Sequence, residues 1–275
     1  MGALIKKINY LKNTKSLMKE AIQNKGVIIS DTDTFRDYAT KVANISTEGG
    51  NVGEYLELSP TSSKQFVSLI KKIPDIDTSV VTNMSSMFSD CTSLITIPLL
   101  NTSAVTNMSS MFSRCSSLKT IPELNTSAVT NMGSMFSSCS SLTTIPELDT
   151  SQVTQMSVMF QGCSSLIAIP QLDASKVTYM IYAFLNCSSL TTFGGLLNLG
   201  RAYSTSQSAS YRSYTLDLSS CTSLTHDSLM NVINNLYDIA TKGCNVQSLT
   251  LGPTNLAKLT AEEIAIATNK GWTVS

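Results

Sequence analysis

The sequence predicts an α/β repeat fold: a solenoid of 24-residue coils, preceded by a helical hairpin and closed by a leucine-rich cap. Met84, Met108, Met132, Met156 and Met180 recur every 24 residues, and columns of Phe (88, 112, 136, 160, 184), Cys (91, 115, 139, 163, 187) and Leu (94, 118, 142, 166, 190) keep that register. Units 107–130 and 131–154 differ only at Ser109/Gly133, Arg114/Ser138, Lys119/Thr143, Asn125/Asp149 and Ala128/Gln152. No insertion interrupts the five copies, as stacking in register requires. Hydrophobic residues make up 42% of the 275-residue chain and charged residues only 14%, enough for a core and too few charges for a disordered chain.

The elements follow in order. Residues 1–46 carry eight Lys or Arg against four Asp or Glu. Asn13 or Thr14 starts a helix with Leu17, Ala21 and Ile22 on one face. Asp31-Thr-Asp-Thr starts a second helix, with Phe35, Tyr38, Val42 and Ile45 on its stripe. Ser46-Thr-Glu-Gly-Gly-Asn-Val-Gly53 reads as the linker after this helical hairpin, and residues 47–72 comprise linker and N-terminal cap of the solenoid. The first residues are basic, but polar side chains break them before an apolar core forms, so no secretory signal peptide is expected.

Residues 73–200 form the five coils. Met108, Met111, Phe112 and Cys115 lie at i, i+3, i+4 and i+7, the spacing of one face of a short helix that Thr106 or Asn107 would cap. Leu118, Ile121 and Leu124 point inward from an extended stretch around Pro122. Asn125-Thr-Ser, or Asp149-Thr-Ser in the next coil, is an Asx-type turn leading to Val129. The inward set is Val, Met, Met, Phe, Cys, Leu, Ile and Leu, and the outward set is mostly Ser and Thr.

Asn101-Thr-Ser-Ala-Val-Thr-Asn-Met-Ser-Ser-Met-Phe-Ser-Arg-Cys-Ser-Ser-Leu118 resembles the BspA-like leucine-rich repeats of bacterial surface proteins. The resemblance implies a leucine-rich-repeat solenoid of 24-residue coils and a non-enzymatic surface protein for recognition or adhesion. Lys19-Glu-Ala-Ile-Gln-Asn-Lys-Gly-Val27 with Phe35-Arg-Asp-Tyr-Ala-Thr-Lys-Val-Ala-Asn-Ile45 resembles a short module of tail and baseplate proteins of bacteriophages of gut bacteria. That second resemblance implies attachment to other virion proteins through residues 1–46, and release by host lysis.

Residues 201–275 hold a Tyr/Ser-rich loop and the leucine-rich cap. Tyr214–Leu218, Gln247–Leu251 and Trp272–Val274 are candidate parallel strands. A helix from about Thr225 would carry Leu229, Ile233, Leu236 and Ala240. A second starts at the capping box Thr260-Ala-Glu-Glu263 and ends at Gly271. The loop Arg201–Tyr214 has the Tyr, Ser and Arg content of adaptable recognition loops.

No catalytic, cofactor-binding or metal-binding residue is expected, and the chain is not expected to be an enzyme. The Cys column coincides with the Met/Phe face and reads as reduced core thiols. His226, the single histidine, stands beside Asp227 and reads as a surface or capping residue. Asp77, Asn101, Asn125, Asp149 and Asp173 form one turn column, with one carboxylate per coil at most, too few oxygens for calcium. Thr82, Thr106, Thr130, Thr154 and Thr178, and the second row Thr102, Thr126 and Thr150, read as solvated hydroxyl ladders. With 19 basic and 19 acidic residues, the chain lacks the excess charge for holding nucleic acid. No stretch is apolar enough for membrane insertion. Candidate ligand-binding residues are Tyr203, Tyr211 and Arg212 in the loop. Arg114, Lys119, Glu123 and Glu147 join them because they stand in the repeat columns that vary most, which suggests that they point outward. The expected protein is a phage tail or fibre-associated virion component contacting a bacterial surface protein or glycan, with possible oligomerisation. A bacterial cell-surface adhesin and a purely structural virion decoration protein are the alternatives.

Overall fold

A computed structural model describes residues 71, 78–204, 215–240, 242 and 246–275. The expected helical hairpin in 1–46 lies outside the described residues, as do most of the 47–72 segment, Asp77, Tyr211, Arg212 and Cys244.

Successive 24-residue units lie parallel, each bonded to the next through its backbone. Asn83, Asn107, Asn131, Gln155 and Tyr179 pair in a continuous row of parallel bridges. A second row of bonds, from Thr143 through Lys119 and Ile95, reaches back to Lys71, whose carbonyl accepts from Ile95 N–H. All eight inward positions of the central coil are buried: Val129, Met132, Met135, Phe136, Cys139, Leu142, Ile145 and Leu148. The Phe column forms a stack, with ring centroids 5.6–5.8 Å apart from Phe88 to Phe184 and a tilted Phe193 at its end.

The short helix expected over 108–115 is absent, and three overlapping turns take its place. Met111, Ser113 and Cys115 N–H groups donate back three residues, to Met108, Ser110 and Phe112. The intervening Met108, Ser110, Phe112 and Arg114 N–H groups donate instead to Asn131, Gly133, Met135 and Ser137 of the next coil. The alternation needs left-handed backbone at two positions per coil, Ser110 (φ 57°) and Arg114 (φ 63°), repeated in every unit. Packed helices need axes about 8–10 Å apart, whereas neighbouring coils bring their Phe rings within 5.8 Å. Turns give the same inward spacing in a layer thin enough to stack.

Two further hydroxyl and sulfur columns tie the coils together. Cys115, Cys139, Cys163 and Cys187 donate S–H to the carbonyls of Phe88, Phe112, Phe136 and Phe160 in the preceding coil, at 3.0–3.1 Å. Thr102, Thr126 and Thr150, expected on a solvated face, are buried. Thr102 and Thr150 donate to Asn125 and Asp173 carbonyls of the next coil. The turn folds this hydroxyl under itself, and a polar group so buried usually finds a partner, although the Thr126 hydroxyl has none among the described residues.

At the far end regular strands appear. β1 (Ala168–Ile169) pairs with β3 (Thr192–Phe193), and β2 (Leu172–Asp173) with β4 (Leu196–Leu197), all parallel. Gly194 replaces the proline of earlier coils; a Cβ there would lie 2.7 Å from Gln171 Cα. A four-residue helix, α1 (Arg201–Ser204), opens what the sequence read as loop. The cap is a parallel sheet of β5 (Thr215–Asp217), β6 (Gln247–Thr250) and β7 (Trp272–Val274), with β6 central. Helix α2 (His226–Asn235) begins at the Thr225 cap and stops before Leu236, short of the expected Ala240. Leu236 turns instead into a bridge with Leu199. Lys270 Nζ donates to the Ile233 and Asn234 carbonyls at the α2 C-terminus, where a cation offsets the helix dipole. The short α3 (Gly252–Leu256) leads to α4 (Ala261–Asn269), whose Thr260–Glu263 capping box is present as expected.

The cap continues the sulfur column. Cys221 donates to Phe184 carbonyl, and one unit later Asn255, fully buried, donates its amide to the Leu218, Cys221 and Leu251 carbonyls. Asn replaces Cys where more carbonyls converge, because an amide carries two N–H donors and a thiol one.

Candidate binding surface

The outer face consists of what the stacking turns away from the core. Thr106, Thr130, Thr154 and Thr178 each donate to the carbonyl of the threonine one coil earlier, at 3.2 Å. Asn101, Asn125, Asp149 and Asp173 accept from the N–H two residues on, closing the Asx turns. The Ser151 hydroxyl and N–H hold the Asp149 carboxyl below the usual carboxylate range. These side chains are thus engaged in holding turns.

Arg114, Lys119, Glu123 and Glu147 are exposed. Arg114 lies 3.2 Å from Asp90 of the preceding coil, both side chains open to water. Such a pair contributes little to stability, and the Asp90 partner is legible only once the 24-residue offset is read as a contact. Lys119, Glu123 and Glu147 side chains make no hydrogen bond or ion pair among the described residues. Glu123 borders a shallow open groove of ≈ 700 Å³ with Leu99, Asn101, Ser103 and Asn125. Tyr203 falls in α1; Tyr211 and Arg212 lie outside the described residues.

The groove holds hydroxyls, amides and a carboxylate, without a side chain of activated nucleophilicity. The thiols are the reverse of activated: burial pushes Cys163 up to about 12 and raises Cys139 further. A protonated thiol is a poor nucleophile and metal ligand. Among the described residues no three His, Cys, Asp or Glu side chains gather into a metal-holding group, and no helix is long and apolar enough to cross a membrane.

His226 joins two elements of the cap, which its sequence neighbours did not reveal. Its Nε2 is 2.8 Å from Glu263 Oε1 in α4 and its Nδ1 3.4 Å from Asp227. The Glu263 and Asp227 carboxylates raise the imidazole pKa, while the Thr260 N–H and His226 lower that of Glu263. This is a joint between helices, and among the described residues no hydroxyl nucleophile is bonded to the ring.

A family model described as "Mycoplasma protein of unknown function, DUF285" matches residues 61–166 and 141–207, together more than half of the chain. No curated protein matches the sequence. Among solved structures, a leucine-rich repeat protein of T. pallidum, TpLRR, is 17% identical, with 74% of this chain and 84% of that chain covered and a TM-score of 0.46.

Proposed function

The chain belongs to the family described as Mycoplasma protein of unknown function, DUF285, and from that premise we propose that it is a non-catalytic binding protein built as a leucine-rich-repeat solenoid. The carrying observation is the contrast within each coil. Inward positions repeat almost without change, while the columns of exposed Arg114 (Asp90, Ser138), Lys119 (Ile95, Thr143) and Glu123 with Glu147 (Leu99, Gln171) differ between copies held in hydrogen-bond register. A rigid framework with variable outward residues is an arrangement for recognition by a fixed surface.

In the finer reading the protein is a phage tail or fibre-associated component of the virion. Residues 1–46 attach it to the particle, and the coils face a protein or glycan of the bacterial surface. The resemblance of residues 19–45 to tail and baseplate modules supports the particle; the BspA-like repeat supports the alternative of a bacterial cell-surface adhesin. Purified full-length protein is expected to bind host cells, with binding reduced by deletion of residues 202–213 or by Tyr211→Ala. Binding that no surface substitution alters would leave a structural decoration protein. Tail proteins co-purifying with the chain from virions would favour the particle over the adhesin.

A further inference from the structure

In the last regular coils three neighbouring outward columns change together from small polar to bulky residues. The column Asn83, Asn107, Asn131 becomes Gln155 and then Tyr179; Ser86, Ser110, Ser134 becomes Val158 and then Tyr182; and Ser157 is followed by Ile181. Ile181 and Tyr182 are 54% and 56% exposed, so core packing does not require them. Val158 and Ile181 are direct neighbours through the Val158 N–H bond to Ile181 carbonyl, and Gln155 pairs with Tyr179.

The change is also unfavourable for the backbone. Tyr182 (φ 57°) and Val158 (φ 63°) occupy left-handed positions, which crowd the Cβ of a bulky or β-branched residue against its own backbone. Tyr182, a bulky residue at a position both exposed and strained where earlier coils use serine, answers to something outside the fold, and half-buried Val158 and exposed Ile181 adjoin it.

Resting on the reading of the chain as a surface-binding protein, we infer that Tyr182, Ile181, Val158, Tyr179 and Gln155 form a binding site for a neutral polysaccharide. The patch carries no formal charge, which disfavours acidic or basic ligands. A tyrosine ring beside aliphatic groups offers a flat apolar platform with a polar tip, suited to the C–H face of a pyranose. The Tyr182 hydroxyl, the Gln155 amide and the Ser157 hydroxyl make no hydrogen bond among the described residues, leaving donors and acceptors for sugar hydroxyls. Ile181 and Tyr182 stand open to solvent, which fits a chain polymer lying across the surface better than a small molecule that needs enclosure.

The test is affinity electrophoresis of the full chain through gels containing a neutral β-glucan, mannan, galactan or dextran, with polygalacturonate as the acidic comparison. At least one neutral polymer is expected to retard the protein. The double variant Ile181→Ser, Tyr182→Ser, which restores the serines of earlier coils, is expected to melt no lower than the native chain and lose at least about tenfold in apparent affinity, while Glu262→Gln, on the exposed start of α4, is unchanged. No retardation by any neutral polymer, retardation that survives the double variant, or retardation by polygalacturonate alone overturns the site. Binding to host cells that periodate spares and protease shaving removes also overturns it, in favour of a protein partner, while the broader binding reading stands. Retardation without any cell binding leaves the site and sinks the cell-surface reading.

Discussion

At the scale of single residues, two positions show how the stack trades stability against geometry. Phe136 sits mid-column with stacked rings on both sides, 5.7 and 5.6 Å away. Phe136→Ala removes both contacts and leaves a cavity that coils held by backbone bonds cannot close. A loss of about 3–5 kcal/mol is expected in chemical denaturation. Val158 makes the opposite case: Val158→Asn places a residue that tolerates left-handed backbone at φ 63°, with a gain of about 1 kcal/mol expected in the same assay. The column thiols are buried and held protonated. Their labelling by a thiol reagent should follow global unfolding, and fast labelling of Cys115–Cys187 in the native protein would contradict that placement.

At the scale of elements, the joint between α2 and α4 gives the cap a pH dependence with a defined sign. His226 has a raised pKa, so its contribution is full below the ordinary 6.5 and is lost as pH rises through the raised value. Glu263 has a lowered pKa, so its contribution is full above the ordinary 4.5 and is lost as pH falls through the lowered value. The pair therefore works best between those two ordinary values. The difference in melting temperature between the native chain and His226→Gln should be largest there and fade on both sides; a difference independent of pH would rule the joint out. The elements were unevenly legible. The capping box of α4 and the three cap strands follow from local chemistry, and both stand where expected. The coil segment 108–115 did not, because a helix and a ladder of turns share the same i, i+3, i+4, i+7 inward spacing, and only the stacking distance separates them.

At the scale of the whole molecule, each coil bonds mainly to its two neighbours, so the stack behaves as a one-dimensional array. Deleting one full unit, residues 131–154, brings Thr130 before Gln155 in unchanged register. The product is expected to fold cooperatively with a modestly lower melting temperature. Deleting residues 131–142 alone puts the inward columns out of register and is expected to yield aggregated protein, as size-exclusion chromatography would report. The sequence alone determined the period, the eight inward positions, the Asx turns and the cap order, because each is written in residues whose side-chain character decides burial or local turn geometry. Only the tertiary structure decided that turns replace the coil helix, that the Thr102 row is buried, that Arg114 meets Asp90 and His226 meets Glu263, and that Tyr182 is strained as well as exposed. Each of those depends on the narrow spacing of coils, or on partners 23 to 37 residues away, which no local pattern encodes.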